Sequence, residues 1–152
     1  MSRFPFGLPF GWYPVAWSRE LAVGEALARR YFARDLLLFR GESGEAHVLD
    51  AYCPHLGAHL GVGGRVVGDT IQCPFHGWRF GGDGDCVEVP YAKRRPQAAR
   101  VGAYPTRESA GVLWAWYHPE RVEPAFEPPE IAEFGAPDWT PEWTAYDWTV
   151  KT

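Results

Sequence analysis

The chain has only three cysteines, an odd number that cannot make a self-contained disulfide framework. Two of them stand beside histidines, which points to metal binding instead. No apolar run approaches the roughly 18 residues that a membrane span needs. The opening stretch, MSRFPFGLPFGWYPVAW, lacks the charged start, apolar run and small-residue cleavage site of a signal peptide. Long amphipathic helical patterns and internal repeats are also missing. Charge of one sign is scarce: the net charge is −4 over 152 residues. The longest basic run, Lys93-Arg94-Arg95, reads as a solvated loop. Neither nucleic acid nor an anionic membrane is therefore an expected partner. These absences lead us to expect a soluble, cytoplasmic protein.

What is present is aromatic and turn-rich. Aromatic residues make up 16% of the chain and eight are tryptophans, enough for a well-filled core and an exposed docking face. A domain of this size buries roughly 68–70% of its unfolded surface and needs no disulfide to fold. Short β-like runs alternate with Gly, Pro and Asp punctuation: WYPVAW (12–17), LARRYFA (27–33), DLLLFRG (35–41), EAHVLDAY (45–52) and RVVGDTIQC (65–73). SRELAVGEA has room for a single helical turn, and Gly68-Asp69 signals a hairpin. RFGGDGDCVEVPY turns through Gly81–Gly84, and RVGAYPTRE with GVLWAWYHP (111–119) predicts a final strand pair. The expected class is all-β, an antiparallel β-sandwich or small barrel.

After His118 the composition shifts. Residues 119–141 carry six prolines and several acids, which predicts an ordered linker or surface-hugging extension. EWTAYDWTVKT (142–152) reads as a new strand, the first of a further domain.

The chemistry is concentrated in CPHLGAHLG (53–61) and CPFHGW (73–78). By ligand type the pattern is Cys53-x-His55, seventeen residues, then Cys73-x-x-His76. Prolines and glycines flank each pair, so each is expected at the tip of a loop between strands. Thiolates and imidazoles bind zinc as well as iron–sulfur clusters, so ligand type alone does not decide. A Cys₂His₂ zinc site usually pairs like with like along the chain, whereas here each loop supplies one of each. That split suits a diiron cluster with two thiolates on one iron and two imidazoles on the other. His59 lies four residues past His55, but the spacing from Cys53 favours His55. Cys86 reads as a small buried strand residue, and His47 and His118 as structural histidines.

Filled in as CPHLGAHL and CPFHGWRF, the pattern resembles that of Rieske [2Fe–2S] proteins. The resemblance implies a β-sandwich with a small cluster-binding subdomain within 51–85. It further implies Cys53 and Cys73 on the inner iron, and His55 and His76 on the outer, surface-facing one. Respiratory members carry an additional cysteine in each loop; Ala58 and Phe75 stand at those positions here, so no bracing disulfide forms. They also place a serine after the second loop's glycine, where this chain has Trp78. With fewer donors to the sulfurs, the lower end of the Rieske range of about −150 to +300 mV is expected.

GWYPVAWSREL, VLDAYCPHLGAHLG and GDTIQCPFHGWRFGGDGDCVEVPYA resemble segments of Rieske non-heme iron oxygenases of the 3-ketosteroid 9α-hydroxylase and cholesterol 7-desaturase groups. That resemblance implies electron transfer to a mononuclear Fe(II), supporting O₂-dependent hydroxylation or desaturation of a hydrophobic, steroid-like substrate. It implies a reductase or ferredoxin as donor, and head-to-tail trimers in which the cluster serves a neighbouring subunit's catalytic domain. The catalytic iron needs two histidines and a carboxylate, yet no histidine follows His118. We therefore expect residues 1–118 to be the Rieske domain, 119–141 a linker and 142–152 the start of a catalytic domain. A stand-alone Rieske ferredoxin is the alternative.

Overall fold

The structure, a computed structural model, describes residues 7–96, 98–138 and 140. The strand expected at 142–152 lies outside the described residues. Among the described residues there is no α-helix; eleven strands and one short 3₁₀ turn make three antiparallel sheets.

The middle sheet is built from β2 (Ala26–Tyr31), β3 (Arg34–Arg40), β4 (Ala46–Asp50) and β9 (Ala103–Tyr104), in that order. The continuous apolar run of β3 shows why it lies in the middle. Side chains alternate along a strand, and Leu36 and Leu38 join Val15, Leu21, Val48, Leu113 and Ala115 in one core. Leu37 and Phe39 point the other way, into a second core with Leu49, Leu60, Ile71, Trp78 and Phe80. One strand thus feeds two cores, which needs apolar residues on both faces.

The first core is closed by the sheet β1 (Gly11–Trp17), β11 (Val112–Tyr117) and β10 (Thr106–Ser109), with β11 central. Pro14 is accommodated because β1 is an edge strand with a register shift at that point. The second core is closed by a meander of four three-residue strands: β5 (Arg65–Val67), β6 (Thr70–Gln72), β7 (Arg79–Gly81) and β8 (Cys86–Glu88). The hairpin expected at Gly68-Asp69 joins β5 to β6, and Gly68 has a φ of 59°.

Two elements differ from the sequence expectation. The run 27–33 ends two residues early, because Phe32 and Ala33 form the turn into β3 with φ of 56° and 55°. Positive φ at both central positions is the type I′ pattern, which usually calls on Asn or Gly. Here the Phe32 ring stacks on Tyr117 at 4.7 Å and meets Tyr13 at 5.1 Å, so aromatic packing offsets the backbone cost. The second difference is the last strand pair. RVGAYPTRE is divided at Pro105: β9 pairs with β4 in the middle sheet, while β10 pairs with β11. The chain changes sheets at a residue with no N–H to give to either ladder.

Residues 119–138 hold no regular element, and their backbone carbonyls accept hydrogen bonds from the first sheet. Trp116 Nε1 donates to Val122 O at 2.8 Å, Trp12 Nε1 to Phe126 O at 2.6 Å, and Ser109 Oγ to Pro129 O at 2.8 Å.

Arg40, at the end of β3, is buried at 9% exposure. Its guanidinium grips both oxygens of Glu108 on β10, at 2.8 and 3.2 Å. It also donates to Leu21 O and Gly44 O, both at 2.8 Å. The pair ties the middle sheet to the first. Burial alone would raise the Glu108 carboxyl, but hydrogen bonding and charge from Arg40 hold it below its ordinary value. A depressed carboxyl stabilises the fold fully above its unfolded value near 4.5 and loses that contribution as pH falls through the lower folded value. Glu108→Ala strands a buried guanidinium and should cost about 1–3 kcal/mol at neutral pH. In urea unfolding, Glu108→Gln should be less stable than the parent at pH 7, and the gap should close in strong acid. A gap that is constant with pH would contradict the ion pair.

Candidate metal centre

Two loops carry the four candidate donors, and they are built alike. The first runs Cys53-Pro54-His55-Leu56-Gly57-Ala58 after β4; the second runs Cys73-Pro74-Phe75-His76-Gly77-Trp78 between β6 and β7. In the first, Gly57 N–H donates to Cys53 O at 2.9 Å and Cys53 N–H to Ala58 O at 2.9 Å. In the second, Gly77 N–H donates to Cys73 O at 3.1 Å and Cys73 N–H to Trp78 O at 2.7 Å. Each is an α-turn completed by a glycine with φ of 73° or 72°. A side chain there costs roughly 1–2 kcal/mol of backbone strain. Cys-x-His and Cys-x-x-His look like different spacings, but the shared Cys-Pro-x-x-Gly is what folds. That repeat was the sequence signal for the common turn, with histidine at its third position in one loop and its fourth in the other.

The structure brings all four predicted residues to one end of the second core. Cys53 and Cys73 are both 3% exposed, and their thiols lie within hydrogen-bonding reach of each other. Burial pushes the Cys53 thiol up to about 11, and the adjacent Cys73 thiol adds to the rise. The backbone N–H groups of His55 and Leu56 aim at the Cys53 sulfur and pull the other way. Both sulfurs can carry negative charge in this setting only if a cation takes the place of the protons.

The His55 and His76 rings are half-buried, with centroids 4.7 Å apart and planes 66° from parallel. Nδ1 of His55 is buried and has no hydrogen-bond partner. An orphaned polar atom of this kind costs about 1–3 kcal/mol, a penalty that a metal bond would remove. A thiol pair beside an imidazole pair fits a two-iron cluster with unlike irons.

The other candidates lie elsewhere. His59 turns its ring against Tyr52 at 5.2 Å, and its Nδ1 accepts from Gly61 N–H at 3.1 Å. Cys86 is buried in β8, and burial raises its thiol. His47 packs on Phe39 at 5.0 Å and against Gly82, and burial lowers its basicity. His118 Nδ1 accepts from Glu120 N–H at 3.1 Å. Sequence reasoning did not foresee the aromatic surroundings of the imidazoles. Trp78 stacks on His55, Phe75 lies 4.0 Å from His76, and Tyr91 reaches Trp78 from fifteen residues beyond His76. Nothing in the local pattern marks Tyr91.

The two turn glycines differ in surroundings, which gives a test of the loop geometry. A Cβ on Gly57 would meet nothing within 4 Å, whereas one on Gly77 would lie 3.2 Å from Pro90 Cγ. Gly57→Ala should therefore cost only the backbone strain, about 1–2 kcal/mol, and Gly77→Ala measurably more. Equal losses in denaturant unfolding would show that Pro90 yields freely.

Comparison with known proteins shows the family of the chain. The family model described as the Rieske [2Fe-2S] domain matches residues 11–105. A cholesterol 7-desaturase of Bombyx mori is 44% identical over 137 residues, covering 88% of this chain and 30% of that protein. A probable 3-ketosteroid-9-alpha-monooxygenase oxygenase component of Rhodococcus rhodochrous is 43% identical over 132 residues, covering 86% and 33%. The chain thus spans about a third of the length of these relatives. The crystal structure of dicamba monooxygenase with non-heme iron and dicamba superposes with a TM-score of 0.70 at 33% identity, over 78% of this chain and 36% of that one. A reduced complex between oxygenase and ferredoxin in carbazole 1,9a-dioxygenase matches with a TM-score of 0.60 at 26% identity, over 72% and 29%. By sequence and by fold, this chain belongs to the Rieske [2Fe-2S] domain family.

Proposed function

We propose that the chain is the electron-transfer domain of an O₂-dependent Rieske oxygenase. Cys53 and Cys73 would hold the inner iron of the [2Fe–2S] cluster, and His55 and His76 the outer. The observation that carries this reading is the pairing itself: two buried thiols side by side, and two half-buried imidazoles beside them, one with an orphaned Nδ1. When bound, the cluster supplies reversible one-electron chemistry.

The chain's own residues supply the rest. The second core keeps water from the sulfurs, and the N–H groups of His55 and Leu56 stabilise negative charge on Cys53. The imidazoles reach the surface, and around them Leu56, Phe75 and Tyr91 are 64%, 63% and 64% exposed. Such an apolar rim gives a partner protein something to cover and brings it close to the histidines.

The partners we propose are a reductase or ferredoxin as donor and a mononuclear Fe(II) in a catalytic domain as acceptor. That domain would belong to a neighbouring subunit of a trimer, with residues 119–141 as linker and 142–152 as the first strand beyond it. Its substrate would be hydrophobic and steroid-like, hydroxylated or desaturated, as the names of the relatives suggest. The cytoplasmic location read from the sequence remains part of this proposal. Among the described residues, no helix is long and apolar enough to cross a membrane.

Dithionite titration of the cluster-loaded chain should consume one electron per cluster and produce a Rieske EPR signal. His55→Cys and His76→Cys should change or abolish that signal, while His59→Ala should keep the parent g values. Loss of the cluster in His59→Ala alone would show the wrong imidazole had been assigned. Given steroid, O₂, reductant and added Fe(II), the 152-residue chain should form no product. Substrate-dependent product would overturn the division of labour between carrier and catalyst.

A further inference from the structure

The indole of Trp78 lies flat against the imidazole of His55, with centroids 4.6 Å apart and planes 6° from parallel. Trp78 directly follows Gly77, and its carbonyl closes the second loop onto Cys73. The loop that carries His76 therefore also delivers an aromatic plate to the histidine of the other loop. Trp78 is 8% exposed, and its Nε1–H donates to the Tyr91 hydroxyl at 2.6 Å. A buried indole N–H needs an acceptor, and here it is a phenol standing on the rim. Tyr91 is fixed from behind, since Val89 is buried and Pro90 packs at Gly77. His76 has a different neighbour. Phe75 covers it at 4.0 Å with planes 37° apart, is 63% exposed, and has no polar atom with which to be tied down.

We propose that Trp78, locked by Tyr91, is a positioning residue for His55, and that the pair lowers the reduction potential of the cluster. The inference rests on His55 being a ligand, as proposed above. With two thiolates, two sulfides, two neutral imidazoles and two ferric ions, the oxidised cluster is neutral and the reduced one is an anion. An indole over His55 opposes the anion in two ways. It excludes water that would solvate the added charge, and it presents an electron-rich π face to the ring that shares the charge. The hydrogen bond to Tyr91 fixes the indole plane, and through the stack it fixes the plane of the imidazole.

The test is the midpoint potential and the reduced-state EPR g values of the cluster-loaded chain, measured for the parent and four variants. Trp78→Leu should raise the potential and shift the g values. Trp78→Phe keeps a flat ring without the N–H and should give a smaller rise, as should Tyr91→Phe. Adding Tyr91→Phe to Trp78→Phe should have no further effect, because both remove the same hydrogen bond. Parent potential and g values in Trp78→Leu would overturn the proposal. Equal shifts from Tyr91→Phe with and without the indole would overturn the lock. If Trp78→Leu fails to load a cluster, parent values in both phenylalanine variants would overturn it equally. Absence of a Rieske signal from the unaltered chain would count against the ligand assignment, not against Trp78.

Discussion

The hydrogen bond from Gly57 N–H to Cys53 O, and its counterpart from Gly77 to Cys73, decide where every donor points. Each closes a turn that only a left-handed residue completes cheaply. With the turn closed, the cysteine side chain faces inward to the core and the histidine two or three residues later stands toward the rim. Two copies of one turn face each other, so like donors meet like: thiol with thiol inside, imidazole with imidazole outside. The depth of each pair follows from chemistry as well as position. A small, weakly polar thiol is tolerated among Leu60, Ile71 and Phe80, whereas an imidazole is better placed at half-burial.

Such loops need a rigid base, and the four strands behind them are only three residues long. A meander of such short strands needs an apolar layer against its inner face. It gains a core because the middle sheet lends one face to it, through Leu37, Phe39 and Leu49. The other face of that sheet is occupied by the β1–β11–β10 sheet, and the bidentate contact of Arg40 with Glu108 ties those two layers together. The donor end is thus supported through β3, whose two faces serve two cores. The aromatic plate and phenol around His55 belong to the same scheme, since they are held by the second loop and the segment after β8.

Much of this was legible in the residues. Cys53, His55, Cys73 and His76 stood out by spacing, and the strand runs by their apolar residues and the turn residues between them; that β3 is buried on both faces came only from the structure. Other features were not. Phe32-Ala33 carries no turn residue, and its left-handed pair is held by Tyr13 and Tyr117 from distant strands. The division of RVGAYPTRE between two sheets depends on which strands lie nearest on either side of Pro105, and local pattern holds no record of that. The likeness of the two loops was present as Cys-Pro-x-x-Gly but hidden by the unequal histidine spacing.

By itself, then, the sequence determined which four side chains are the candidate donors, the turn residues around them and the all-β class. These rest on short-range chemistry: ligand type, proline and glycine backbone preferences, and the two-residue period of a strand. The tertiary structure alone decided which imidazole meets which aromatic, which nitrogen is left without a partner, and which carboxylate answers the buried Arg40. Those contacts join residues far apart in the chain. Glu108 lies 68 positions from Arg40, and Tyr91 lies 13 from Trp78 on the far side of a hairpin. Their partners are chosen by the packing of layers, which no local run of residues encodes.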